Sequence, residues 1–180
     1  MKEIEECFKT AIKDEEKGRK HKGLLITAPN NEKAKEYLNK AKINLELCDL
    51  YKEKGIDYKI PEKWFYTFYY CGLAILSKLG IESRSQKCTA LFLKFIRDKN
   101  LINYDNDFID RIMVYRDKEK TSDVDEREKA RYSPSIKNEE VRNEYEFMTN
   151  LCKKAISQCR EIIFSDKEFK IPEEITDIIR

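Results

Sequence analysis

The chain contains one histidine, His21, and six cysteines, the side chains most often used for acid–base, nucleophilic or metal chemistry. The cysteines form no Cys-x-x-Cys pair, and none of them lies near His21 in the sequence. Because a zinc site needs several such ligands close together, the sequence predicts no metal site and no cofactor. Most of the cysteines fall at apolar positions of helical patterns, so we expect reduced core residues.

A second group of residues that could bind a ligand consists of Arg127, Arg131 and Tyr132. Arginine stays protonated and can bind phosphate, and a tyrosine ring can stack on a base. The three together predict a binding site for RNA or a nucleotide. The alternative is a solvated helix surface, because Glu126 and Glu128 lie within the same stretch and mixed charge runs usually face water.

Metal-independent cleavage of RNA needs a group that accepts a proton near neutral pH, and histidine is suited to that task. His21 is the one candidate, in the basic run 17–22, which has the pattern of an exposed loop. That run is either a phosphate contact or a solvated loop, and its shortness favours the loop. The sequence therefore favours a protein without a catalytic residue, with a ribonuclease that uses His21 as the alternative.

We expect helices to position these residues. The 180-residue chain has only 5 glycines and 4 prolines, the residues most common in turns, and few turns are typical of long helices. Apolar residues recur at helical spacing along most of the sequence. The segments so predicted are about 2–17, 30–55, 60–80, 85–96, 105–116 and 141–162, with a short helix after Pro172. The expected fold is all-α, an up-and-down helical bundle of about five main helices. We divide it into an N-terminal helix and basic loop (1–29), the bundle (30–165) and a C-terminal tail with a short helix (166–180).

The segment Trp64–Leu76 is apolar on nearly every face, so its helix should be central in the bundle. Its aromatic residues are predicted to be core, and surplus tyrosine on one side would suit a dimer interface. Gly72 within it predicts close approach by a neighbouring helix. No apolar run is long enough to span a bilayer and no signal peptide opens the chain, so we expect a cytoplasmic protein with no membrane association.

Several motifs occur together from the second predicted helix onward. They are Ala34…Tyr37-Leu38-x-x-Ala41, Tyr66…Tyr69-Tyr70-x-x-Leu73-Ala74-Ile75-Leu76, Leu79-Gly80-Ile81-Glu82-Ser83, the pair Phe92 and Phe95, and Arg127-Glu128-Lys129-Ala130-Arg131-Tyr132. Over roughly 30–163 this set resembles the HEPN superfamily of helical-bundle domains. The resemblance implies a homodimer that binds RNA, a nucleotide or a small nucleotidyltransferase partner, in a toxin–antitoxin or defence setting.

The nuclease members of that superfamily carry an arginine followed shortly by a histidine. Here Gln86 stands where a relative would carry histidine after Ser85, and no histidine follows Arg97, Arg116 or Arg127. The resemblance therefore implies a non-catalytic HEPN-like protein. An active metal-independent ribonuclease and a protein-interaction scaffold without nucleic-acid affinity are the alternatives.

Overall fold

The computed structural model describes residues 1–113 and 138–179, and these are mostly helical. The elements in chain order are α1 (Lys2–Glu16), β1 (Leu24–Ile26), α2 (Asn31–Glu53), a 3-10 turn (Asp57–Lys59), α3 (Ile60–Lys78), β2 (Ile81–Ser83), α4 (Gln86–Asp98), α5 (Asn106–Ile112), α6 (Asn138–Ile163) and α7 (Glu173–Ile179). The all-α class is confirmed, while the HEPN-like arrangement stays a prediction. The predicted site residues Arg127, Arg131 and Tyr132 lie outside the described residues.

The helix ends follow from local side-chain chemistry. The side chain of Asn30 accepts a hydrogen bond from the backbone N–H of Lys33 at 2.8 Å and so caps α2. Gly55 follows that helix with a φ of 68°, a backbone conformation that favours glycine. Pro61 lies in the first turn of α3, where its missing N–H costs nothing, and Ser85 caps α4. These boundaries agree with the helices predicted from the sequence at about 30–55, 60–80 and 85–96.

A short antiparallel ribbon departs from the purely helical expectation. Strands β1 and β2 pair with Leu24 opposite Ser83 and Ile26 opposite Ile81. Gly23, at the start of the ribbon, passes so close to α1 that an added Cβ would lie 2.0 Å from the carbonyl oxygen of Cys7. Strands of three residues are too short to show a periodic pattern, and so no pattern in the sequence predicts them.

Helix α3 is the central element, as predicted. It contacts α2, α4, α5 and α6, and most of its side chains are buried. A Cβ added to Gly72 would lie 2.9 Å from Leu93 Cδ1 and 3.3 Å from Thr89 Cγ2, so a side chain larger than hydrogen would require these side chains of α4 to shift. The predicted close approach at Gly72 is therefore confirmed.

Helix α6 packs on α3 and α2 through a single apolar line. The buried apolar members are Val141, Tyr145, Met148, Leu151, Cys152, Ala155, Cys159 and Ile163. Most of them recur at the helical spacing that predicts a helix over about 141–162. Helix α5 ends at Ile112, earlier than predicted, because the next residue is already extended. Among the described helices, none has the length and apolarity needed to cross a bilayer.

The expectation of six reduced cysteines is wrong for two of them. Cys7 on α1 and Cys88 on α4 form a disulfide, whereas Cys48, Cys71, Cys152 and Cys159 are free and buried. The two bonded residues are 81 positions apart, so no spacing rule reveals the pair; only the packing of α1 on α4 brings them together. Disulfides are typical of oxidising compartments, so this bond does not support the cytoplasmic prediction.

We expect reduction of this disulfide to lower the melting temperature by about 10 °C, because a cross-link over a long loop restricts the unfolded chain and is worth about 2–4 kcal/mol. Melting curves with and without dithiothreitol measure the shift. The matched control is Cys7→Ala/Cys88→Ala, whose melting temperature should not respond to the reductant. Alkylation of the denatured, unreduced wild type should modify four cysteines; modification of all six would contradict the bond.

Candidate nucleic-acid interface

Helices α2 and α3 form an antiparallel hairpin, which is the most extensive helix pair among the described elements. The backbone N–H of Asn30 donates to the carbonyl of Ser77 at 2.9 Å, and the Thr67 hydroxyl lies 3.4 Å from the carbonyl oxygen of Ala41. Buried alanines on α2, Ala34 and Ala41, let the two backbones approach closely. Residues far apart in sequence therefore share one surface of the hairpin.

That surface carries a stack of tyrosine rings. Tyr37 of α2 stacks on Tyr70 of α3 with ring centroids 6.1 Å apart and planes 19° apart. Tyr70 in turn stacks on Tyr66, one helical turn earlier, at 5.8 Å and 26°. Tyr69 lies beside Tyr70, with centroids 6.2 Å apart. Since the side chains of all four are only partly buried, the stack reaches the protein surface.

Two lysines flank the stack. The ammonium of Lys40 lies 5.5 Å from the ring centroid of Tyr37 and 5.8 Å from that of Tyr70. The ammonium of Lys63 lies 6.0 Å from the ring centroids of both Tyr51 and Tyr66. These distances permit cation–π attraction, which holds each ammonium beside the rings. We call Tyr37, Lys40, Lys63, Tyr66 and Tyr70 the tyrosine–lysine face.

The charge of this face comes from the lysines alone near neutral pH. Burial raises the pKa of the Tyr70 phenol, so that ring stays neutral. Lys40 takes part in none of the ion pairs seen among the described residues, whereas Lys63 lies 3.8 Å from a carboxylate oxygen of Glu62. Lys40 is therefore the cation of the face that is best placed to meet a phosphate.

The prediction that the Trp64–Tyr70 block forms core is confirmed for one side of α3 only. Trp64, Phe65 and Phe68 are 3%, 1% and 0% exposed. The tyrosines of the block are only partly buried, as expected for a ring with a polar end. The sequence predicts the surplus of tyrosine on one side of α3, but it does not show that Tyr37 and Lys40 of α2 lie beside these rings. Their pairing depends on the register of the hairpin, which the sequence does not display.

His21 is not the exposed loop residue that the sequence predicted. It is 2% exposed, with its Nε2 3.3 Å from Glu82 Oε1. The backbone N–H of Gly23 donates to Nδ1 at 3.4 Å, which places the imidazole proton on Nε2, facing the carboxylate. Glu82 also accepts from Arg84 at 2.8 Å, and Lys33 lies 3.7 Å away. Because the ring is covered and both nitrogens are engaged, His21 acts here as a connection between the basic loop and β2.

A second polar cluster joins α2, α6 and the 3-10 turn. The Tyr145 hydroxyl donates to Asp49 at 2.5 Å, with the Lys52 ammonium 3.9 Å from the ring centroid, and Arg142 donates to the buried Asp57 at 2.8 Å. Burial and the bond to Asp49 raise the pKa of Tyr145, so the hydroxyl keeps its proton. Asp57 Oδ2 and the Asp49 carboxylate are hydrogen-bonded in this way, whereas the buried Asp57 Oδ1 has no hydrogen-bond partner among the described residues. We interpret the cluster as structural.

The buried thiols are unsuited to nucleophilic chemistry. Burial and the nearby Asp49 carboxylate raise the pKa of Cys48 to about 12, so it is a neutral thiol at physiological pH. A hydrogen bond with Cys71 and burial raise the pKa of the Cys159 thiol well above its usual value. Within the ranges 1–113 and 138–179, no group of three or more histidine, cysteine, aspartate or glutamate side chains is placed to hold a metal ion.

Comparison with known proteins gives no match to a family model, to a curated protein or to a solved structure. The resemblance to the HEPN superfamily thus rests on the sequence motifs alone. Any function must be argued from the chain's own surfaces.

We expect His21→Ala to lower the stability by about 2 kcal/mol, because it leaves a gap at a buried position and removes a partner of the partly buried Glu82 carboxylate. Thermal melting should show a shift of several degrees, with Lys20→Ala, an exposed neighbour, as the unshifted control. The opposite outcome would be a wild type that cleaves RNA and a His21→Ala variant that melts normally but does not cleave. That result would support the ribonuclease alternative and contradict the structural role.

Proposed function

We propose that this protein binds single-stranded RNA, with the tyrosine–lysine face as its binding surface and without a catalytic role for His21. The observation that carries the proposal is the stack of Tyr37, Tyr70 and Tyr66 beside the ammonium of Lys40, which forms no ion pair with another described residue. Unstacked bases of a single strand stack on aromatic side chains, and phosphates are held by lysine. A duplex hides its bases from such rings, so the surface favours single strands.

The site differs from the one the sequence suggested. The predicted phosphate and base contact at Arg127, Arg131 and Tyr132 is proposed as an extension of the same RNA site. The described surface needs no such addition to bind, since aromatic stacking is worth about 1–3 kcal/mol per base. Membership of the HEPN superfamily, a toxin–antitoxin or defence setting, a cytoplasmic location and a nucleotidyltransferase partner remain predictions from the sequence.

Lys40→Ala should weaken binding to a labelled single-stranded oligouridine and lower the slope of log Kd against log salt by about 0.7, the value for one lost phosphate contact on a single strand. Fluorescence anisotropy across a salt series measures both effects. Lys153→Ala is the control, because Lys153 is an exposed lysine of α6 that belongs neither to the tyrosine–lysine face nor to the proposed dimer contact. Equal effects of the two substitutions would show that RNA binding depends on the net charge of the protein and not on the tyrosine–lysine face.

Stacking is tested in the same assay. Tyr70→Leu keeps an apolar side chain but removes the ring, and should weaken binding about tenfold, whereas Tyr70→Phe should bind like the wild type. Tyr58→Leu, at a tyrosine outside the face that is 45% exposed, serves as the control. Equal affinity for duplex and single-stranded RNA would contradict stacking. Samples kept after each titration and analysed for shortened RNA test the ribonuclease alternative.

A specific observation also favours a protein-interaction role. Ile43 and Leu50 on the outer side of α2 are each 44% exposed, and the partly exposed Leu47 lies between them at helical spacing. Such a line of apolar residues on a solvent-facing helix suits helix–helix contact. We propose that this line is the homodimer interface, with α2 of one copy packed antiparallel on α2 of the other.

The charges beside the line fit that arrangement. In an antiparallel pair centred between Ile43 and Leu50, Lys42 of one copy lies opposite the gap between Glu46 and Glu53 of the other, and the two-fold axis repeats the contact. Lys42, Glu46 and Glu53 are all exposed in the single chain. The self-complementary pattern is what an isologous interface requires.

Leu50→Lys should convert the dimer to a monomer, because it places a charge in the apolar contact. Light scattering after size-exclusion chromatography measures the mass, and Lys54→Glu, at the residue that follows α2 beyond the apolar line, is the control. A wild type that is monomeric at high concentration would overturn the dimer and leave the RNA-binding proposal standing.

A further inference from the structure

A cavity of about 430 Å³ opens at the end of the bundle away from the 3-10 turn. Its walls come from the C-terminal end of α3, the α4–α5 connection, the last turn of α6 and the segment that follows it. The volume lies within the usual range for small-molecule sites, about 300–1,000 Å³. The tyrosine–lysine face contributes no residue to the lining.

The interior of the cavity is aliphatic. Leu79, Leu101, Ile102 and Ile162 line it, with Phe169 as the one aromatic side chain. Of these, Leu79 is buried, while the other four are partly exposed and pack against the edge of the main core. An aliphatic chain entering here would displace water from apolar surface, which is the main driving force for such binding.

The outer wall is held in place at both ends. It is the segment between α6 and α7, and α7 is anchored by Ile175, which is 0% exposed. The ammonium of Lys99, at the end of α4, bonds to Glu174 at 2.5 Å and ties the start of α7 to the bundle. Because the connection is short and fixed on both sides, Phe169 is positioned over the cavity without any ligand.

The mouth carries an excess of positive charge. Three lysines, Lys78, Lys167 and Lys170, belong to the lining, compared with two carboxylates, Glu161 and Glu168. None of these three lysines takes part in the ion pairs seen within the described parts of the chain, so their ammonium groups are available to an anion. A ligand with an aliphatic body and an anionic end matches both the interior and the mouth.

We propose that this cavity binds a medium-chain fatty acid, with the hydrocarbon chain against Leu101, Ile102 and Ile162 and the carboxylate beside Lys78 and Lys170. The carboxylate is favoured over an alcohol by the lysines, and a linear chain over a ring system by the branched aliphatic walls. This site is independent of the RNA-binding proposal and stands if that proposal fails.

Isothermal titration with dodecanoate, below its micelle concentration, tests the site on the full-length protein. We expect saturable binding at one site per chain. Dodecanol has the same chain without the charge and should bind about fivefold more weakly, and dodecyltrimethylammonium, with the opposite charge, more weakly again. Equal binding of the anion and the cation would overturn the proposal, as would no binding of dodecanoate.

Two variants locate the site. Lys78→Glu/Lys170→Glu should weaken dodecanoate about tenfold while leaving dodecanol unchanged, a difference that partial unfolding would not produce. Ile102→Trp should weaken both ligands by filling the cavity. The control is Lys94→Glu, an exposed lysine of α4 outside the lining. Unchanged dodecanoate binding in both cavity variants, with normal circular dichroism, would place the ligand elsewhere and overturn the inference.

Discussion

The burial of α3 is the constraint on which the rest of the structure depends. A helix that is apolar on most faces must be covered by several neighbours at once, and here α2, α4, α5 and α6 supply the cover. The absence of a side chain at Gly72 allows α4 to come within contact of the helix backbone. Because every one of these neighbours is positioned by α3, the tyrosine–lysine face and the aliphatic cavity are both set by its packing.

Where the cover of α3 is incomplete, the side chains change in kind. Trp64, Phe65 and Phe68 occupy the fully covered faces, whereas Tyr66 and Tyr70 occupy the partly open one. A tyrosine can pack its ring and leave its hydroxyl to water, so it tolerates this position at little cost. Partial burial of the rings also suits the base stacking that we propose, since a ring that is only partly buried can still contact a base.

The disulfide and the buried histidine both fasten the N-terminal region to the bundle. Cys7 joins α1 to α4, and His21 meets Glu82 on β2, so the first 29 residues are tied at two points by side chains that sequence reasoning considered for chemistry. The physical reason is similar in both cases. Cysteine and histidine are as useful in fixing structure as in catalysis, and only burial and partners show which use applies.

The sequence by itself determined the local features. Asn30 and Ser85 cap helices because their side chains reach their own backbone N–H groups, and the spacing from Val141 to Cys159 buries one side of α6; such effects span a few residues and are visible in the printed chain. Tertiary structure decided which distant residues meet. The stack of Tyr37 on Tyr70, the bond of Cys7 to Cys88 and the covering of His21 all depend on how helices dock, and docking is set by the summed shape of many side chains. No short pattern encodes that sum, which is why the proposed sites emerged only from the fold.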